Sequence, residues 1–177
     1  MLTATEVLAA GAVAHSQVHV EYANGFEVWA NANGTESWEI VAGGRRHLLP
    51  PYGYWMAGPG MAEGGSEILD GRRVDSLKGD LWLFASGNGK PVDLGFLACK
   101  GAYAVRWEQG MVEVIGLPAA LDETVAIDLK ALPVQPGATA VYLKHDGTVL
   151  RRAAVKTEGG KLFVTMSKDC YKVQLTQ

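Results

Sequence analysis

The 177-residue chain is poor in cysteine, with only Cys99 and Cys170. Two thiols cannot build a disulfide framework, and no Cys-x-x-Cys or Cys/His cluster has the spacing of a metal site. Each sits in a strand-like context, where a free buried thiol behaves as a small hydrophobe. Free thiols are expected, with a single disulfide as the alternative if the protein is exported. Long apolar runs are missing too. None approaches the roughly 18 residues that span a bilayer, so no membrane segment is expected. The N-terminus lacks the basic region of a secretory signal, and Glu6 interrupts its apolar stretch, so nothing in the chain fixes a compartment. Charge of one sign is also absent. Lys and Arg number 16 against 19 Asp and Glu, for a net charge of −3. The pairs Arg45-Arg46, Arg72-Arg73 and Arg151-Arg152 never grow into a patch and read as solvated strand ends, so nucleic acid is not an expected partner.

Helical periodicity is scarce. Leu2 to Ala14 is the one good helical stretch, with Thr3 or Thr5 as cap and Glu6 in the first turn. It reads either as the tail of a preceding domain or as a helix packed on the body that follows.

What the chain has in abundance is turn and strand grammar, with 22 glycines. Val18, Val20 and Tyr22 alternate with His19 and Glu21, the period of a strand. Asn24-Gly25 predicts a type I′ hairpin turn. Phe26, Val28 and Ala30 then share one face, which puts Trp29 on the other. Asn33-Gly34 turns the chain again, and Trp38 and Ile40 lead to a break at Gly43-Gly44. Pro50-Pro51 cannot donate to a central ladder and marks an edge or corner. Tyr52, Tyr54 and Met56 alternate with Gly53, Trp55 and Ala57. Further hairpins are expected at Asp70-Gly71, Gln109-Gly110, Asp146-Gly147 and Gly159-Gly160. Composition shifts at Leu117-Pro118. The chain therefore reads as all-β: an antiparallel β-sandwich of Greek-key type in two packed β-subdomains, with a short N-terminal helix. The expected division is 1–16 as helix or linker, 17–117 as the main β-sandwich and 118–177 as a small C-terminal β-domain.

Chemistry-bearing patterns are few. Glycoside hydrolysis needs two carboxylates facing one bond. Glu21, Glu27, Glu36, Glu39, Glu63, Glu67, Asp70, Asp75 and Asp80 are scattered, and most alternate with apolar residues as on the solvent face of a strand. There is no Gly-x-Ser-x-Gly elbow. Ser86-Gly87-Asn88-Gly89-Lys90 lacks the spacing and the following helix of a phosphate loop. His15, His19, His47 and His145 lack ligand spacing, so neither metal nor cofactor is expected. The aromatics carry the functional slant. Their ordinary use is core, because Trp and Tyr bring large apolar area. Trp29 and Trp55 lie out of phase with the apolar residues of their strands and are expected to face away from that core. With Tyr52 and Tyr54 they are the candidate site, for sugar stacking or for a neighbouring domain.

The segments Glu21-Tyr22-Ala23-Asn24-Gly25, Val28-Trp29-Ala30-Asn31, Trp38 and Leu49-Pro50-Pro51-Tyr52-Gly53-Tyr54 together resemble the β-domain that follows the (β/α)8 barrel in amylase-like glycoside hydrolases. Gly71 to Asp75 fits the same pattern more loosely. The resemblance covers about a quarter of the chain. It implies a non-catalytic accessory region of such an enzyme, with the catalytic carboxylates on a barrel outside these residues and the barrel as partner. A carbohydrate-binding module with exposed rings is the alternative, and a stand-alone enzyme built on the scattered carboxylates is the third reading. If the parent enzyme acts on polymers, export is expected.

Overall fold

The computed structural model describes residues 16–59, 62–117, 123–132 and 139–176. The helix expected over Leu2–Ala14 lies outside them. Among the described residues the protein is all-β with antiparallel pairing, and its one helical element is a 3-10 turn at Leu129–Ala131. No helix among them is long and apolar enough to cross a membrane.

Contacts divide the chain into two units, Met1–Asp80 and Leu81–Gln177. In the first, β1 (Gln17–Glu21), β2 (Glu27–Asn31), β5 (Tyr54–Ala57), β6 (Glu63–Leu69) and β7 (Arg72–Lys78) lie side by side in that order. β3 (Trp38–Ala42) and β4 (Arg45–Leu49) form a separate hairpin. Gly43 and Gly44, both at positive φ, make its two-residue turn, so they join two strands instead of ending one. The hairpin lays Ile40, Ala42 and Leu49 against Trp29 and Trp55 of the sheet, and these side chains form a buried core cluster among the described residues of this unit.

Asn24-Gly25 makes a hairpin of a different kind from the expected one. Gly25 N–H donates to Tyr22 O and Tyr22 N–H to Phe26 O, and Gly25 but not Asn24 has positive φ. This is the three-residue loop with a glycine bulge, held by Asn24 Oδ1 accepting from Phe26 N–H at 3.2 Å. Asn33-Gly34 is a turn but not a hairpin, because β2 pairs with β1 and β5 while β3 pairs with β4. Asn33 Oδ1 accepts from the N–H groups of Thr35 and Glu36, which redirects the chain into the β3–β4 excursion.

The second unit contains β8 (Trp82–Ser86), β9 (Val92–Asp93), β10 (Leu97–Cys99), β11 (Ala102–Glu108), β12 (Met111–Gly116), β13 (Glu123–Asp128), β14 (Thr139–Leu143), β15 (Val149–Ala154), β16 (Lys156–Glu158), β17 (Lys161–Met166) and β18 (Lys172–Thr176). One sheet runs β8-β11-β12-β18-β14-β15 and the other β16-β17-β13-β10-β9. Leu83, Val105, Val114, Tyr142 and Val173 of the first sheet and Leu97, Val125, Ile127, Leu162 and Val164 of the second bury their side chains in one cluster. The alternation at Leu162, Val164 and Met166 is fully buried on one side, as the period predicts. Cys99 and Cys170 are free and buried, and burial pushes the Cys99 thiol up to about 11.

The contact division at Asp80–Leu81 differs from the expected one at Leu117-Pro118. β12, before Leu117, pairs with β18 near the end of the chain, and β18 pairs with β14. Strands from both sides of Leu117-Pro118 therefore share one sheet and one core.

Candidate functional site

Register fixes which residues of the first unit share a face. Across β1, β2, β5, β6 and β7 the opposed residues His19, Trp29, Trp55, Gly65 and Ser76 form one row. That face carries the β3–β4 hairpin. Trp29 is 5% exposed and Trp55 3%, so the expectation that both rings face away from the core is corrected. Phe26, just before β2, and Val28 and Ala30 on it outvote one Trp in a count of positions, but within β2 a single Trp brings more buried area to a face than Val and Ala together. Gly65 is what lets the Trp55 row close. A Cβ there would lie 2.0 Å from Tyr54 O and 2.7 Å from Trp55 Cα.

The same face holds a buried polar pair. His47, on β4 in phase with Leu49, places Nδ1 3.0 Å from Glu67 Oε2, with both residues buried. Its ring stacks on Trp55 at 3.8 Å between centroids. His19 stacks on Trp29 at 4.5 Å and 7° and pairs with Glu27 at 2.7 Å. Glu67 is thus not on a solvent face. Its partner lies twenty residues back on an element whose packing alternation alone could not predict, although the phase of His47 with Leu49 was a legible sign of burial.

The candidate tyrosines remain accessible: Tyr52 is 70% exposed and Tyr54 41%. Tyr52 occupies the left-handed region at φ 57°, in a turn where Gly53 N–H donates to Pro50 O at 2.8 Å. The Pro-Pro corner is therefore a tight turn with a non-glycine residue where glycine or asparagine is usual. The structure brings Trp29 and Trp55 together in the core and leaves Tyr52 and Tyr54 outside it.

The opposite face of this sheet is apolar where β1, β2 and β5 meet. Val18 stands opposite Ala30 and Ala30 opposite Tyr54, and beside them run Val20, Val28 and Met56 in the same manner. Val18 is 51% exposed and Val20 40%. An exposed antiparallel face ordinarily alternates to polar residues. Over β6 and β7 this face becomes polar, with Arg73 donating to Asp75 and Ser66, and Ser66 to Asp75.

The better-buried carboxylates are engaged structurally. Glu113 on β12 accepts from Lys172, Gln174 and Arg106. Burial opposes its charge, but those three donors outweigh it and hold the carboxyl down at about 2. Among the described residues no group of three or more His, Cys, Asp or Glu side chains could hold a metal ion. Comparison with protein families, with curated proteins and with solved structures gives no match.

Proposed function

We propose that the chain is a non-catalytic accessory region of a glycoside hydrolase, built around a β-sandwich of Greek-key type, and that it docks on the catalytic (β/α)8 barrel. The observation that carries the docking face is the apolar ladder Val18–Ala30–Tyr54 and Val20–Val28–Met56, with Val18, Val20 and Tyr54 exposed and Val28, Ala30 and Met56 half-buried, on a sheet whose other face is already filled. Contiguous exposed apolar surface of this kind marks an interaction site. The test has two parts. The reading frame containing this chain is expected to encode a barrel. In the joined protein, amide exchange over β1, β2 and β5 is expected to be slower than in the isolated chain. Unchanged exchange on that face, or a reading frame without a barrel, overturns the reading.

The second reading, a carbohydrate-binding module, is favoured by Tyr52 and Tyr54, whose exposed rings could stack on a sugar. It predicts that polysaccharides perturb tyrosine emission in the native chain and not in Tyr52→Ala/Tyr54→Ala. A glycan panel that leaves emission unchanged counts against it.

A further inference from the structure

The outer face of the β16-β17-β13-β10-β9 sheet is not built like a solvent face. Asp93, Ala98, Ala126, Phe163 and Lys156 stand opposite one another in a row across the five strands. At the centre of this row are two alanines, a residue depleted from strands, where long polar side chains are usual. Their small size leaves a trough of about 610 Å3, within the range of small-molecule sites. Ala98 and Ala126 form its floor, Phe163 stands on one side, and Pro91 and Asp93 line the other. The strands bearing the two walls are three inter-strand spacings apart, about 14 Å.

The rim charges are paired. Lys161 Nζ lies 2.9 Å from Asp93 Oδ2, and Lys100 Nζ lies 3.2 Å from Glu123 Oε1. Lys156 lies over the Phe163 ring, 5.3 Å from its centroid. The hydroxyl of Thr124 is within 2.7 Å of that of Thr165 beside the floor. Paired charges give the trough no strong field of either sign, so neither an anion nor a cation is selected. They do supply donors and acceptors at the edges of a methyl-lined floor.

We propose that this trough is a binding site for a neutral pyranose chain. The C–H face of a sugar ring packs on Ala98, Ala126 and the Phe163 ring, while its hydroxyls reach Asp93, Thr124, Lys100 and Glu123. The match is one of charge and polarity: a ligand without net charge, apolar on one face and hydroxylated at its edge, meets a floor and rim of the same character. The site lies in the second unit and involves neither Tyr52 nor Tyr54, so it holds or fails independently of the docking face and of the tyrosines.

The test is an amide-shift titration of the full chain with maltohexaose, cellohexaose and xylohexaose. At least one is expected to move the signals of Ala98, Thr124, Ala126 and Phe163 together. Phe163→Ala and Ala126→Arg should each weaken that binding about tenfold, the scale of one lost stacking contact. Tyr52→Ala should leave it unchanged. Native shifts at Val125 and Ile127, directly beneath the floor, show that each variant is folded. Four results overturn the proposal: no movement at the trough with any of the three sugars, movement centred on Tyr52 and Tyr54, tighter binding of polygalacturonate than of every neutral chain, or self-association that buries the trough.

Discussion

His47 joins the β3–β4 hairpin to the main sheet of the first unit twice, through Glu67 and through the face of Trp55. Removing one member of a buried pair leaves the other without compensation, which costs more than the pair itself contributes. His47→Ala is therefore expected to lose about 3 kcal/mol in urea unfolding, and Glu67→Ala a similar amount. The double variant His47→Leu/Glu67→Leu should recover much of that loss, because neither polar group is then left buried without its partner. A double variant as unstable as the two single losses added together would show that the pair is not coupled. At this scale the sequence was only partly legible. Turn residues announce themselves because glycine and asparagine have local conformational reasons to be where they are. The facing of Trp29 and Trp55 had no local cause. It depends on Ile40, Ala42 and Leu49 arriving from a hairpin, and period-two alternation marks two faces without saying which one that hairpin will cover.

At the scale of elements, the β3–β4 excursion is tied off by Asn31. Its buried side chain donates to Glu36 O at 2.8 Å, before the hairpin, and to Pro50 O at 2.9 Å, after it. Asn31 N–H donates to Gly53 O, and Tyr52 N–H to Asn33 O, so the two ends of the excursion are held at one point. Asn31→Ala removes the donor to the Glu36 and Pro50 carbonyls and the Oδ1 that accepts from Asn33 N–H, at an expected cost of about 2 kcal/mol. Its specific mark is local: amide exchange in β3 and β4 should quicken more than in β6 and β7. Uniform acceleration across the sheet would mean that Asn31 supports the unit generally and does not anchor this hairpin. The strands and most hairpins of both units could be read from alternation and turn residues. The pairing of β2 with β5 across an inserted hairpin could not, because Asn33-Gly34 looks the same whether the next strand returns or leaves.

At the scale of the whole molecule, the contact boundary at Asp80–Leu81 was hidden because neighbouring hairpins with similar turns continue across it. The shift at Leu117-Pro118 was conspicuous by contrast, yet β12 and β18 pair across it. Two units with separate cores need not share one response to acid, and Glu113 gives the second unit a response of its own. Its carboxyl sits at about 2 in the folded protein against an ordinary 4.5. A depressed folded value means that the unfolded chain binds a proton first as pH falls. The stabilisation is thus complete above about pH 5 and is lost as pH falls through 4.5 towards 2, on the order of 3 kcal/mol in all. Glu113→Gln removes that titration. The variant should be less stable than the native protein at pH 7, since Lys172 and Arg106 lose their carboxylate. Its stability should then decline less steeply between pH 5 and pH 2. Unfolding of the second unit, followed at native Val114 and Val173 signals over that range, measures both effects. Parallel acid limbs for the two proteins would show that the carboxylate at position 113 does not set the acid sensitivity of this unit.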